Sequence, residues 1–124
     1  MTLLANEPNE FLSSSYIAGS LNINPVLVRK ELSELKRINL IQSKEGKGGG
    51  VKLLKSAENI KLSEIFNTVK GNDFILGFSK NEPNPKCPIG KNINTNLTKL
   101  YSELDSKVES VLENISLEEF KNQF

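Results

Sequence analysis

Between Pro25 and Lys55 the chain gathers eight basic residues, Arg29, Lys30, Lys36, Arg37, Lys44, Lys47, Lys52 and Lys55, against three acidic ones, Glu31, Glu34 and Glu45. Cations at that density bind anions, and a row of them suits the phosphate backbone of a nucleic acid. The segments on either side each carry a charge of −2, so the net +1 of the whole chain conceals the concentration. A solvated helix face with ordinary surface lysines is the plainer reading of the same residues. Within this segment Gly46-Lys47-Gly48-Gly49-Gly50 suggests a phosphate-cradling loop, but its spacing fails. A Walker loop needs Ser or Thr after its lysine, and Lys47 is followed by Gly48. The dinucleotide fingerprint opens a helix, whereas these glycines lead into β-branched Val51. A hairpin tip, where glycine supplies positive φ at little cost, is the reading left.

The other reactive side chain is Cys87, in Asn84-Pro85-Lys86-Cys87-Pro88. Lys86 and Lys91 nearby favour the thiolate, the reactive form. Two readings fit it: a sensor of oxidants or electrophiles, for instance through a disulfide between two copies, or a small side chain that anchors its loop. With no histidine and one cysteine, the chain lacks Ser-His-Asp and Cys-His catalysis, a histidine metal site and an internal disulfide. Nor does it supply a thiolate cage for zinc or an iron–sulfur cluster alone. No catalytic residue, metal ligand or cofactor is assigned, and an enzyme is not expected; peroxide turnover on a single cysteine is the distant alternative. No apolar run is long enough to span a membrane and no signal peptide is visible, so a cytoplasmic protein is expected.

These residues need elements to hold them. The 124 residues suggest one domain with an appended helix. Thr2 to Ala5 reads as the end of a helix, and Asn6 to Asn9 as a turn. Ser13 to Ser15 offer caps for a short helix with Tyr16, Ile17, Ala18 and Leu21, broken at Asn22. Asn24 followed by Pro25 starts a second helix that should run to about Asn39, with Val28, Leu32, Leu35 and Ile38 along one face. Leu40 to Ser43 and Val51 to Leu54 fit two antiparallel strands around the glycines. Leu62 to Lys70 fits a helix whose packed face is Leu62, Ile65, Phe66 and Val69, ended by Gly71 as a left-handed cap. Residues 72–91 read as a loop containing the apolar patch Phe74-Ile75-Leu76 with Phe78. Ile93, Leu97, Leu100, Leu104, Val108, Val111 and Ile115 then recur at three- and four-residue spacing, a long helical stripe. Ser116 with Glu119 forms a capping-box pattern for a last short helix.

Two helices joined by a tight turn and followed by a hairpin with a lysine at its tip define a winged helix-turn-helix. The expected fold is therefore mainly α with a small β-hairpin, a winged helix-turn-helix plus a long C-terminal dimerisation helix. Residues 1–71 would form the DNA-binding unit, 72–91 a loop with the candidate sensor cysteine, and 92–124 the dimerisation helix and short last helix. Ile23-Asn24, Val28 to Leu40, Ser43-x-x-Gly46-x-Gly48-Gly49-Gly50, Leu53-Leu54, Ile60-x-Leu62-x-Glu64-Ile65, Val69-x-Gly71 and Cys87-Pro88-Ile89-Gly90 resemble the Rrf2 family of bacterial transcription regulators. The resemblance covers nearly the whole chain and is most specific at the wing and the Leu62 helix. It implies a dimeric winged-helix protein whose long helix carries the dimer contact, with redox state, iron–sulfur status, nitric oxide or a metabolite as the signal. The chain departs from that pattern in three ways. Most of the family's first helix before Thr2 is absent, and one cysteine stands where cluster-binding members have three. Glu45 occupies the wing position at which some members place a groove-reading arginine. Arg29 also stands where some relatives have glutamate, which points to a different preferred sequence.

The second helix is expected in the major groove. Arg29 is the leading base contact, because bidentate Arg to guanine is the commonest specific pairing, and a phosphate contact is nearly as good a role for it. Asn24, Pro25 and Val26 open the helix, where Pro25 and Val26 reach a thymine methyl or sugar, or simply start the helix. Lys30, Ser33, Lys36 and Arg37 are phosphate candidates, and Lys47 beside Gly48 at the wing tip is a phosphate or minor-groove candidate. The apolar stripe exceeds what a domain this small covers, which favours exchange across a two-fold dimer. The partners expected are double-stranded DNA, a second copy of the chain and a small-molecule or oxidant effector, with no membrane. The functional expectation is a dimeric, sequence-specific repressor; the alternative is a winged-helix module that docks on an acidic protein.

Overall fold

Asn24 shows how the helices are set. In the computed structural model, which describes residues 1–77 and 82–124, its side-chain oxygen accepts the N–H of Val26 at 2.9 Å, and Pro25 occupies the first turn. That cap opens α3 (Pro25–Arg37), which follows α1 (Thr2–Asn6) and α2 (Ser14–Leu21). Ser13 caps α2 by accepting the Tyr16 N–H at 3.1 Å, and Asn22 ends it in the left-handed conformation, φ 52°. Helix α3 stops two residues earlier than its apolar period suggests. Ile38 is its C-cap and Asn39 takes φ 59°, which turns the chain so that Leu40 enters the core.

The hairpin is β1 (Ile41–Lys44) against β2 (Gly50–Leu53), each shifted by one residue from the expected spans. It is antiparallel, with Ile41 opposite Leu53 and Lys44 opposite Gly50. Leu12 adds a one-residue bridge to Val51, N–H to carbonyl in both directions at 2.9 Å. A single 3-10 turn at Ala57–Asn59 leads to α4 (Leu62–Lys70), whose first turn is tied by Glu64 Oε1 accepting the Lys61 N–H at 3.1 Å. Gly71 does end α4 with positive φ, but its ψ of −135° lies outside the left-handed helical region. Helix α5 (Pro88–Glu113) begins four residues before the expected loop boundary, because Pro88 sits where the first helical turn tolerates a missing N–H. Helix α6 (Leu117–Lys121) closes the chain with the expected box: Ser116 Oγ accepts the Glu119 N–H at 3.1 Å, and Glu119 Oε2 accepts the Ser116 N–H at 2.7 Å.

The core is one cluster beneath α2, α3 and the hairpin, with Leu4, Leu40, Ile41, Ile60 and Leu117 essentially excluded from water. Leu117 comes from α6, so the last helix packs back on the winged unit. It is stitched there by Leu62 N–H to Ile115 O at 3.0 Å and Leu117 N–H to Ile60 O at 2.8 Å. Val28 and Leu35 of α3 are buried and Leu32 and Ile38 pack beside them, so the expected apolar face is the packed one. On α4, Leu62 and Ile65 join the core, whereas Val69 is 62% exposed. Phe74 packs edge-on against Tyr101 of α5, ring centroids 5.9 Å apart, while Ile75 and Leu76 are exposed and Phe78 lies outside the described residues. No helix is long and apolar enough to cross a membrane among the described residues.

Candidate nucleic-acid interface

Burying Val28 and Leu35 fixes what α3 shows to solvent. Asn24, Val26, Arg29, Lys30, Ser33, Lys36 and Arg37 are all exposed, and Pro25 is half-buried. The helix therefore presents a polar, basic face with Val26, 61% exposed, at its opening turn. Ser33 Oγ donates back to the Arg29 carbonyl at 3.0 Å, a bond internal to the helix. Beside this face stands the wing, with Lys47 and Gly48 exposed at its tip. An open groove between the two carries Arg29, Ser33 and Lys36 from α3, Lys44 and Glu45 from the wing, and Ser14 from the start of α2.

The cations are not equally free. Lys36 Nζ donates to Ser43 Oγ at 2.6 Å, a bond from α3 to β1 that braces the wing against the helix. Arg37 pairs with Glu34 on its own helix at 3.0 Å, both side chains well solvated, so the pair costs little to break. Lys55 pairs with Glu64 at 2.9 Å. Among the described residues Arg29, Lys30 and Lys47 have no carboxylate within ion-pair distance. Those three are open to an incoming polyanion, as are Lys44 and Lys52 on the wing, which the ion pairs also leave out. From sequence, Ser14 and Tyr16 take a place on a short helix but no role at an interface. Tyr16 is 57% exposed and borders a depression shared with Phe11 and Gly49 of the wing. Only the fold brings α2 to the wing, so no local pattern marks them.

The glycines of the wing have separate duties. Gly48 has φ +73°, a left-handed turn position. Gly50 has φ +148°, and a Cβ there would collide with the backbone of Leu12, so its lack of a side chain is what lets the Leu12–Val51 bridge form.

Cys87 is exposed and is the N-cap residue of α5. Its thiol is held below the usual cysteine value chiefly by the backbone N–H of Gly90, then by that of Ile89, which lie at the positive end of the helix. The cause is therefore the helix amides, where the sequence pointed to Lys86 and Lys91. Gly90 also permits a close approach: a Cβ there would stand 2.7 Å from the Asn84 carbonyl, so the Asn84–Cys87 turn lies flat on the helix start. The stripe on α5 is largely open to solvent, with Leu100 at 50%, Leu104 at 38%, Val108 at 36% and Val111 at 61% exposure. Ile93, Leu97 and Ile115 are half-buried, and Ile115 falls just past the end of α5.

A short helix, a turn, an exposed second helix and a basic hairpin beside it define a winged helix-turn-helix protein. The family profile for Rrf2, described as an iron-dependent transcriptional regulator, matches residues 1–123. The chain is 35% identical over 114 residues to YwnA of Bacillus subtilis (strain 168), a proposed HTH-type transcriptional regulator, spanning 92% of this chain and 84% of that one. This chain belongs to the Rrf2 family. Its fold is similar to that of a transcriptional-regulator structure from Lactobacillus plantarum, with a TM-score of 0.77 at 23% identity over 97% of this chain and 81% of the other. It is also similar to CymR of B. subtilis, with a TM-score of 0.71 at 19% identity over 99% and 88%.

A family described as iron-dependent implies donors for iron. An iron–sulfur cluster needs several thiolate or imidazole ligands. The chain has one cysteine and no histidine, and among the described residues no three His, Cys, Asp or Glu side chains converge as a metal site. The residues of this chain do not fit a cluster.

Proposed function

We propose that this protein is a DNA-binding transcription regulator that acts as a homodimer and represses by occupying a roughly palindromic site. The observation that carries the reading is the exposed basic face of α3 beside a lysine-tipped wing, in a chain of a transcription-regulator family. Helix α3 enters the major groove with Arg29 against a base edge, while Lys30, Ser33, Lys36 and Arg37 meet flanking phosphates. Asn24, Pro25 and Val26 approach sugar and thymine methyl groups, and Lys47 with Gly48 meets the backbone beyond the groove. The stripe on α5 pairs with its copy, which removes exposed apolar surface and sets two α3 helices about one DNA turn apart. Cys87 is the point at which an oxidant or electrophile changes DNA affinity.

The test is fluorescence anisotropy with duplex DNA from just upstream of the protein's own reading frame, with unrelated duplex as competitor, at two salt concentrations. Binding that survives the competitor and weakens with salt supports the reading. Replacing Arg29 with Ala should cost about 1–3 kcal/mol of discrimination between the two duplexes. Equal, weak binding to both duplexes with tight capture of an acidic partner protein would instead favour a docking module.

A further inference from the structure

We propose a second row of phosphate contacts on the outer face of the wing, formed by Lys44 and Lys52 and held in place by the ring of Phe11. The proposal rests on the DNA-binding reading above and extends it to residues that reading leaves unused. Side chains alternate along a strand, and the pairing of Gln42 with Lys52 and of Lys44 with Gly50 puts those four on one face of the hairpin. Val51 and Leu53, on the opposite face, are buried in the core. Leu12, bridged to Val51, is buried with them, so Phe11, one residue earlier, turns to the outer face. There Lys52 Nζ lies 4.9 Å and Lys44 Nζ 5.8 Å from the ring centroid.

Two ammonium groups gathered at one ring would repel one another in water. The negative face of the ring offsets that repulsion and restricts both flexible stems. Neither lysine has a carboxylate within ion-pair distance among the described residues, so their charge stays uncompensated. Lys44 also borders the groove that contains Arg29, which makes the outer row continuous with the basic face of α3. A preorganised pair of cations continuous with a DNA-reading face suits the sugar-phosphate backbone flanking that groove. Phe11 is a positioning residue: it touches no DNA and acts through the two lysines.

The experiment uses the full chain and a mixed-sequence duplex of about 30 base pairs, because phosphate contacts do not depend on sequence. Binding is measured across a salt series for the unmodified chain, the Lys44→Gln/Lys52→Gln variant, Phe11→Leu and Phe11→Tyr. The double lysine variant should lower the slope of log K against log salt by about 1.8 per bound protomer. Phe11→Leu keeps both charges, so its slope should hold while affinity falls about threefold to tenfold; Phe11→Tyr should restore it. NMR should show the ε-methylene protons of both lysines shifted upfield by the ring, and the shift lost in Phe11→Leu alone. An unmodified chain that binds with no salt dependence overturns this proposal together with the DNA-binding reading. Salt-dependent binding with an unchanged slope in the double lysine variant overturns the outer row only. Unmodified affinity in Phe11→Leu overturns the positioning role of the ring.

Discussion

Gly50 and Cys87 show how single residues are shaped by what lies against them. Gly50 has a φ that side-chain-bearing residues rarely adopt and the Leu12 backbone pressed against its α-carbon. Gly50→Ala should therefore cost about 2 kcal/mol of stability, seen as a lower urea midpoint; an unchanged midpoint would show that the bridge yields easily. At Cys87 the amides of Gly90 and Ile89 favour the thiolate, so its folded pKa lies below that of the unfolded chain. The alkylation rate with iodoacetamide should accordingly rise at lower pH in the folded protein than in the urea-denatured one. The same depression means that the contribution of this thiol to stability is present above the unfolded pKa and is lost as pH falls through the folded one. Coincident alkylation profiles would remove the helix start as the cause.

Helices α4 and α5 are joined by a polar clamp as well as by packing. Asp105 of α5 accepts from Lys70 Nζ at 2.8 Å and from the Ile75 N–H at 3.3 Å, and Asn67 Nδ2 donates to Glu109 at 2.6 Å. The bond from Lys70, ahead of that from Ile75, holds the Asp105 carboxyl below its ordinary value against the opposing effect of desolvation. Its stabilising effect is thus complete at neutral pH and disappears as pH falls through the lowered pKa. Asp105→Asn should lower the thermal midpoint at pH 7, and the difference from the unmodified protein should shrink towards acid. A difference that is constant with pH would mean that the carboxylate charge is irrelevant to the clamp. This clamp fixes α5 to the winged unit and leaves its apolar stripe facing outward.

At the scale of the molecule, no residue of α5 is buried although its apolar positions run through nearly the whole helix. A second copy would cover that stripe with the identical helix, as the two-fold pairing proposed above requires. Leu104→Arg places a charge in the middle of the stripe. It should convert a dimer to a monomer in light scattering after gel filtration, while the monomer's α6 and core stay intact. A variant that still runs as a dimer would move the interface off this stripe. DNA affinity should fall in step with dissociation, since one α3 helix then binds alone.

Much of this molecule was legible in local sequence. Ser13, Asn24 and Ser116 cap their helices as their types and positions indicate, because a cap needs partners only two or three residues away. The α4 span follows from apolar period together with Gly71, the packed positions of α3 from apolar period, and the basic segment from a count of charges. Boundaries slipped where packing or proline chemistry outweighed period, at the end of α3 and the start of α5. Tertiary structure alone decided which lysines are tied up, why Gly50 is glycine, that Phe11 lies under Lys44 and Lys52, and that Leu117 returns to the core. Each of those facts joins residues from different elements of the chain. Helical spacing and capping carry no information about such pairs, which meet only when one core buries Leu12, Leu40, Val51 and Leu117 together.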